Sequence, residues 1–280
     1  MRVFQSIIVC LAALTVLGAF SPLHAAWLEQ GVLVCTATGF QMDAHVTTLT
    51  SGDAIVVWRD MRSGTSDIYA QRLSRGGGHA LWANEGVVVS ATVLSNLNEP
   101  QAVSDGAGGA IIACCDGRTG EEKVLAQRVD ADGNALWTAN GVYVCEVAGY
   151  KSSLSITADG AGGAIIAWVD LRGADRDIYV QRVDANGNML WTADGVPACG
   201  MTGQQYDPQV VSDGAGGGIV AWHDLRGTGY DIYAQRIDAD GYEIWWEDGE
   251  VICAEINSQR YVQLVPDGAG GAILTWQDER

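Results

Sequence analysis

Apolar and polar positions alternate along this chain with the period of β-strands, and residues 159–199 show the pattern most clearly. Residues 164–170 form an almost continuous apolar run, which predicts a strand buried on both faces. Residues 177–183 alternate between two faces. Shorter apolar stretches at residues 154–157 and 190–199 predict two further strands. The segment therefore predicts four short β-strands and no helix.

The segments between these predicted strands have the composition of tight turns. Residues 159–163 read Asp-Gly-Ala-Gly-Gly, and residues 184–188 read Asp-Ala-Asn-Gly-Asn. Glycine supplies the positive φ angles that hairpin turns need, and Asp and Asn hydrogen-bond to the turn backbone. Four antiparallel strands joined by short turns are predicted as one structural unit.

The unit recurs along the chain. Its central tryptophan column falls at Trp58, Cys114, Trp168, Trp222 and Trp276, with spacings of 56, 54, 54 and 54 residues. A four-stranded antiparallel unit of this period predicts an all-β fold, a β-propeller with four full blades and a partial fifth. A β-helix has a shorter period, a helical solenoid needs a 3.6-residue stripe, and separate sandwich domains need linkers that the sequence lacks.

The predicted domain organisation follows from the phase of the repeat. Residues 1–25 have the charge, apolar run and cleavage pattern of a signal peptide, which predicts a secreted or cell-surface protein. Residues 26–280 are predicted as one propeller domain, in which residues 27–35 form an outer strand. The expected blades span residues 44–90, 100–145, 154–199, 208–253 and 260–280. Residues 27–35 could complete the last blade, or the chain could be part of a longer propeller and multi-module protein.

Composition narrows the classes of partner. The chain has 34 acidic and 16 basic residues, a net charge of −18. This field repels phosphate backbones and anionic lipids, so we expect no nucleic-acid partner and no electrostatic membrane docking. No segment after the signal peptide is long and apolar enough to predict a membrane span. The expected partner is an unidentified protein or glycan.

The cysteines favour buried thiols over a disulfide framework. Four of them occupy one repeat position, at Cys35, Cys145, Cys199 and Cys253. Equivalent positions on neighbouring blades are farther apart than a disulfide can reach.

The turn before each outer strand has a recognisable sequence. It reads DADGNALW at residues 130–137, DANGNMLW at 184–191 and DADGYEIW at 238–245. This resembles the Asp-box of sialidase-type propellers, although the glycine lies one place early and Asn186 replaces the box Asp in one copy. The whole unit resembles the DGxGGAxxAWxDxR…DIYAQRVDxxGNxLW repeats of secreted bacterial proteins. That resemblance covers nearly all of the mature chain and implies a propeller and export, but no chemistry.

Loop variation indicates which face binds a ligand. The DGAGG and DADGN turns lie on one face of the predicted propeller and are nearly identical between units. The inter-blade loops on the opposite, variable face differ in every unit, and such loops usually carry specificity. The predicted binding residues on and beside them are Phe40, Asp43, Asn96, Asn98, Tyr150, Lys151, Gln205, Tyr206, His223, Tyr230 and Arg260.

The recurring Asp-x-Arg motif is interpreted as structural. A residue present in every blade usually does the same packing work in every blade, and pairing of each Arg with Asp67, Asp177 or Asp231 across the hairpin is expected. The Asp-rich turns lack the ligands of an EF-hand, so a hydrogen-bonded turn is preferred to a calcium site. The predicted structural residues are Trp58, Asp60, Arg62, Trp168, Asp170, Arg172, Trp222, Asp224, Arg226, Trp276, Asp278 and Arg280.

The sequence predicts a secreted, non-catalytic propeller that acts as a binding or scaffold module. It offers no nucleophile elbow, zinc spacing or phosphate loop, so no catalytic residue, metal or cofactor is predicted. The alternative is a sialidase-like glycoside hydrolase. That activity would need an acid and a nucleophile from different blades at the mouth of the channel.

Overall fold

The chain folds into consecutive β-meanders in a computed structural model that describes residues 31–92, 94 and 96–280. Within these residues the regular elements are eighteen strands and no helix. The predicted signal peptide, and residues 27–30 of the predicted outer strand, lie outside the described residues.

Four sheets have four antiparallel strands each, in the order of the chain, and we call each sheet a blade. Blade 1 contains β1 (Gln41–Thr48), β2 (Ala54–Asp60), β3 (Asp67–Leu73) and β4 (Val87–Ser90). Blade 2 contains β5 (Leu97–Ser104), β6 (Ala110–Asp116), β7 (Lys123–Val129) and β8 (Val142–Cys145). Blade 3 contains β9 (Tyr150–Ala158), β10 (Ala164–Leu171), β11 (Asp177–Val183) and β12 (Val196–Cys199).

Blade 4 contains β13 (Gln205–Ser212), β14 (Gly218–Asp224), β15 (Asp231–Ile237) and β16 (Glu250–Cys253). Blade 5 is a two-stranded sheet of β17 (Gln259–Pro266) and β18 (Ala272–Asp278). Four full blades and a partial fifth confirm the predicted blade pattern.

The blades are arranged radially. The first strand of each blade packs beside the first strand of the next, from β1 through β5, β9 and β13 to β17. All five of these inner strands line one central cavity. The second strands β6 and β14 are buried along their whole length because they lie between a neighbouring blade on each face.

The core lies between blades. Ile165, Ala167 and Val169 on one face of β10 pack with Val220 and Trp222 of the following blade. Equivalent apolar clusters join blade 1 to blade 2 and blade 2 to blade 3. Val34 and Cys35 pack against blade 1. Their position relative to blade 1 is the one that the fourth strand of each full blade has relative to the next blade.

Candidate functional site

The inner strand of every blade carries a β-bulge at the same position. The register with the second strand slips between Met42 and His45 in β1, and at the equivalent place in each of the other four inner strands. A bulge re-aims a side chain and is frequent next to binding and active sites. One residue of each bulge has a left-handed backbone, with φ between 50° and 54°. These bulge residues are Asp43, Glu99, Ser153, Asp207 and Tyr261.

The bulge residues converge on the central cavity. The cavity has a volume of about 450 Å³, within the usual range for a small-molecule site. The bulge residues line it together with the residues that follow them in the inner strands. Left-handed φ angles are uncommon outside glycine, and strained for a side chain as large as Tyr261. The same backbone bulge thus brings five side chains of four residue types to one cavity.

Three of the bulge residues form a hydrogen-bonded row across three blades. The Ser153 backbone N–H donates to Glu99 Oε2 at 2.6 Å, and its hydroxyl donates to Asp207 Oδ1 at 3.1 Å. Asp43 forms an ion pair with Arg59 at 3.5 Å on the other side of the cavity. Burial raises the pKa of the Glu99 carboxyl, and the charges of Glu122 and Asp43 raise it further against the opposing hydrogen bond from Ser153.

An aromatic group adjoins this row on blades 4 and 5. The ring of His223 stacks on Tyr206 with centroids 5.6 Å apart and meets Tyr230 edge-on at 5.1 Å and Tyr261 edge-on at 6.1 Å. The Arg260 guanidinium lies 4.2 Å from the centre of the Tyr230 ring. Cation–π contacts of this kind hold the guanidinium in place over the ring.

His223 connects the aromatic group to the carboxylates. Its Nε2 lies 3.8 Å from Asp207 Oδ2, whereas its Nδ1 is buried without a hydrogen-bond partner among the described residues. Burial lowers the pKa of His223; Asp207 opposes this shift, and the positive charge of Arg260 adds to it. The lowered pKa favours the neutral form of the ring, which is buried between the aromatic group and Asp207.

Five of the eleven predicted binding residues belong to this region. Asp43 lines the cavity. Tyr206, His223, Tyr230 and Arg260 form the aromatic group, which contacts the cavity through Tyr261 and Asp207.

The remaining six lie elsewhere. Asn96 and Tyr150 line a separate depression of about 380 Å³ between blades 2 and 3. Lys151 and Gln205 are buried in the interior. The ammonium of Lys151 lies 3.2 Å from Asp170 Oδ1 and donates to backbone carbonyls, which is a structural contact. Phe40 is exposed on its loop, and Asn98 is half-buried opposite Cys115 in the β5–β6 pair.

Four of the five bulge residues are absent from the sequence-based set: Glu99, Ser153, Asp207 and Tyr261. With Asp43 they form one column of the repeat, with successive spacings of 56, 54, 54 and 54 residues. The inter-blade loops in which the sequence interpretation placed specificity include these residues, but it did not single them out, because the sequence does not reveal the bulge that directs them.

The Asp-x-Arg motif makes the same contacts in blades 1, 3 and 4. In blade 3, Asp170 Oδ2 accepts hydrogen bonds from Trp168 Nε1 at 2.8 Å and from Arg172 Nη2 at 2.6 Å. Arg172 also donates to the Asp194 carbonyl at 2.8 Å and lies 3.6 Å from the centre of the Tyr179 ring. The arginine therefore pairs with the Asp of its own motif, not across the hairpin as the sequence suggested.

The Asp-rich turns are closed by their own hydrogen bonds. Asp130 Oδ1 accepts from the backbone N–H groups of Asp132 at 2.9 Å and Asn134 at 2.8 Å. Across the described residues, no group of three or more His, Cys, Asp or Glu side chains has metal-binding geometry. The six cysteines in the described range are free thiols. No helix in the described part of the chain is long and apolar enough to cross a membrane.

Comparison with known proteins identifies the fold. No family model matches the chain, and no curated protein matches it. Among solved structures it is similar to an α-L-arabinanase of Penicillium chrysogenum, with a TM-score of 0.51, 13% identity and coverage of 84% of this chain and 74% of that one. It is also similar to the Hadza microbial sialidase Hz136, with a TM-score of 0.51, 12% identity and coverage of 84% and 52%.

A protein of unknown function from Dyadobacter fermentans gives a TM-score of 0.52, with 10% identity and coverage of 86% of this chain and 76% of that one. At such low identity the likeness shows the fold alone: the chain is a β-propeller.

Proposed function

We propose that the protein is an exported β-propeller whose central cavity binds a neutral carbohydrate. The observation that carries the proposal is the set of five bulge residues, of four residue types, that line one cavity at equivalent backbone bulges. If the bulges served only packing, one residue type would suffice in every blade. Their diversity is what ligand recognition needs.

The chemistry of the cavity suits a sugar. Carboxylates of Asp43, Glu99 and Asp207 accept hydrogen bonds from hydroxyl groups, and the exposed ring of Tyr261 offers an apolar face. Arg59 pairs with Asp43, and Arg260 lies over the Tyr230 ring near His223, so positive charge offsets part of the negative charge of the region. The net charge of −18 disfavours an anionic ligand.

Two further considerations agree with this proposal. The arabinanase that shares the fold was solved in complex with arabinobiose, which makes arabinobiose a reasonable first probe. The sequence of residues 1–25 has the pattern of a signal peptide, and export would place the cavity where extracellular glycans occur.

The test is isothermal titration calorimetry, which measures the dissociation constants of the purified chain for neutral oligosaccharides, including arabinobiose. Sialyllactose serves as the anionic comparison. We expect a neutral sugar to bind and Asp207→Asn or Tyr261→Ala to weaken binding at least about tenfold, the loss from one good polar or stacking contact. Asp240→Asn and Tyr242→Ala alter an exposed turn and serve as matched controls. Equal binding by all four variants, or preference for sialyllactose, would contradict the proposal.

A second candidate function, glycoside hydrolysis, is favoured by one specific observation. Glu99 is a half-buried carboxyl in the cavity that Asp43 and Asp207 also line, and burial raises its pKa, as a general acid requires. If the protein hydrolyses the sugar it binds, Glu99→Gln should abolish release of reducing ends and leave binding within a few-fold of wild type. Binding without any release of reducing ends by the wild-type chain would exclude hydrolysis and leave the binding function intact.

A further inference from the structure

An apolar surface on the outer part of blade 4 lacks the cover that its equivalents have in the other full blades. Ile244, Trp245, Trp246, Glu250 and Ile252 line a groove of about 640 Å³ there. Trp246 is 77% exposed, which is unusual for so large an apolar side chain. The repeat itself shows what normally covers this surface.

The first comparison concerns the tryptophan column of the outer turn. Trp82, Trp137 and Trp191 are 6–9% exposed, and each donates its indole N–H to a backbone carbonyl in the next blade, at 2.9–3.0 Å. The acceptors are Ala131, Ala185 and Ala239, which lie in the turn after the third strand of that blade. Trp245 is 37% exposed and donates no indole hydrogen bond to any described residue.

The second comparison concerns the fourth strand. Val89, Val144 and Ala198 are at most 4% exposed, whereas the equivalent Ile252 is 37% exposed. β4 packs on β7, and β12 packs on β15, so a fourth strand is covered by the third strand of the next blade.

The third comparison concerns the sheet edge. β2, β6, β10 and β14 each pair with a third strand on one side and an inner strand on the other. Among the described residues β18 pairs only with β17, which leaves one row of its backbone N–H and C=O groups without a strand partner. An edge of this kind is a template for strand addition.

One element accounts for all three differences. In the other blades a third strand with its following turn pairs with the second strand, covers the preceding fourth strand and accepts the indole hydrogen bond. We propose that the β18 edge and the blade 4 groove bind a β-strand of the repeat's own third-strand type, followed by its Asp-Ala-Asn-Gly-Asn turn. The partner is thus a peptide segment with the pattern of residues 177–190 of this chain.

The segment of residues 177–190 carries the groups that the surface needs. Ala185 supplies the carbonyl that accepts from Trp137, and Gly187 lies against the ring of the same tryptophan. A Cβ built on Gly187 would lie 3.1 Å from that ring, so a larger residue there would be too close to the tryptophan. Tyr179 and Val183 lie in the apolar cluster that contains Val144 of the preceding fourth strand, so in a bound segment they would cover Ile252, the equivalent of Val144.

The experiment titrates a synthetic peptide of residues 177–190 into the full chain labelled with ¹⁵N-tryptophan. The Trp245 indole resonance is assigned with Trp245→Phe. We expect that resonance to shift downfield as the indole gains an acceptor. Trp245→Ala should weaken peptide binding at least about tenfold, while Tyr150→Ala, an exposed aromatic far from the groove, should leave it unchanged. A peptide with Gly187→Leu should bind at least tenfold more weakly.

Joining the segment covalently to the chain makes its binding intramolecular and so lowers the entropic cost of association. A copy of residues 227–244 appended after Arg280 would place the equivalent third strand and turn of blade 4 beside β18. The extended chain should show a blue-shifted tryptophan emission and a higher urea midpoint than the original chain. Trp245→Ala should remove most of that gain.

The proposal would be overturned if the peptide left the Trp245 resonance unchanged and the extension changed neither the tryptophan emission nor the urea midpoint. Self-association of the original chain that is abolished by Trp245→Ala would also overturn it, because the surface would then be a contact between copies. The cavity function is measured separately with sugars and does not depend on this result.

Discussion

At the residue scale, the repeat separates structural from functional side chains. Asp170, Arg172 and Trp168 form contacts that recur in blades 1 and 4, so their identity is explained by packing and hydrogen bonding. Asp207 and Tyr261 share a backbone position with Ser153 and differ in chemistry. Position in the repeat was predictable from spacing, but the direction of these side chains was not, because a bulge shifts the face on which a residue lies.

The buried ion pair of blade 3 gives a stability prediction. Arg172→Ala leaves the buried Asp170 carboxylate with fewer donors, so the free energy of unfolding should fall by about 3 kcal/mol. Arg280→Ala removes the equivalent pair where its arginine is 53% exposed and should cost far less, because solvent screens an exposed pair. Urea denaturation of both variants tests this, and equal losses would contradict the structural role of the motif.

Asp177 gives a pH-dependent prediction. Burial, with the charges of Asp175 and Asp170, raises its pKa to about 6, compared with 3.8 for the unfolded chain. Because the folded pKa is the higher one, stability is lost as the pH rises from about 4 to 6. Asp177→Asn should therefore stabilise the chain at pH 7, on the order of 1 kcal/mol for this half-exposed group, and much less at pH 4.5. Urea midpoints at the two pH values test it, with Asp240→Asn as the control; a constant difference would count against it.

For His45 we predict the opposite dependence of stability on pH. Burial lowers the pKa of His45 below its unfolded value of 6.5, and its Nδ1 accepts a hydrogen bond from Ala102 N–H at 3.2 Å in the next blade. Its contribution is complete above pH 6.5 and is lost as the pH falls. Other blades have Gln or Ser at this position, and Ser155 Oγ accepts the equivalent bond from Val210 N–H at 3.0 Å. His45→Gln should reduce the loss of melting temperature between pH 7 and pH 5; an unchanged loss would show that other groups cause it.

At the element scale, strand boundaries followed the sequence where local chemistry decided them. β11 spans the residues predicted, since its alternation ends in turn residues at both ends. β12 contains only Val196–Cys199, whereas a strand over residues 190–199 was predicted. Asp194 and Gly195 both have positive φ angles, which interrupt an extended strand. β9 begins at Tyr150 instead of residue 154, because the strand continues through its bulge.

At the whole-molecule scale, the period determined the architecture and the tertiary structure determined the site. A repeated four-stranded unit must bury two faces, so neighbouring units stack and their inner strands surround a common axis. Asp43 and Tyr261 are far apart in sequence and line the same cavity only because of that arrangement. His223 stood out in the sequence as a departure from the repeat, but its partners Tyr206 and Asp207 became visible only when the bulge was seen.

The most direct measurement is a crystal structure of the chain with the neutral oligosaccharide that binds it most tightly. We expect the sugar in the central cavity, with its hydroxyl groups within hydrogen-bond distance of at least two of the Asp43, Glu99 and Asp207 carboxylates and a ring face toward Tyr261. A sugar bound on the outer surface of a blade, with only water between the bulge residues, would contradict the assignment of the cavity as the binding site.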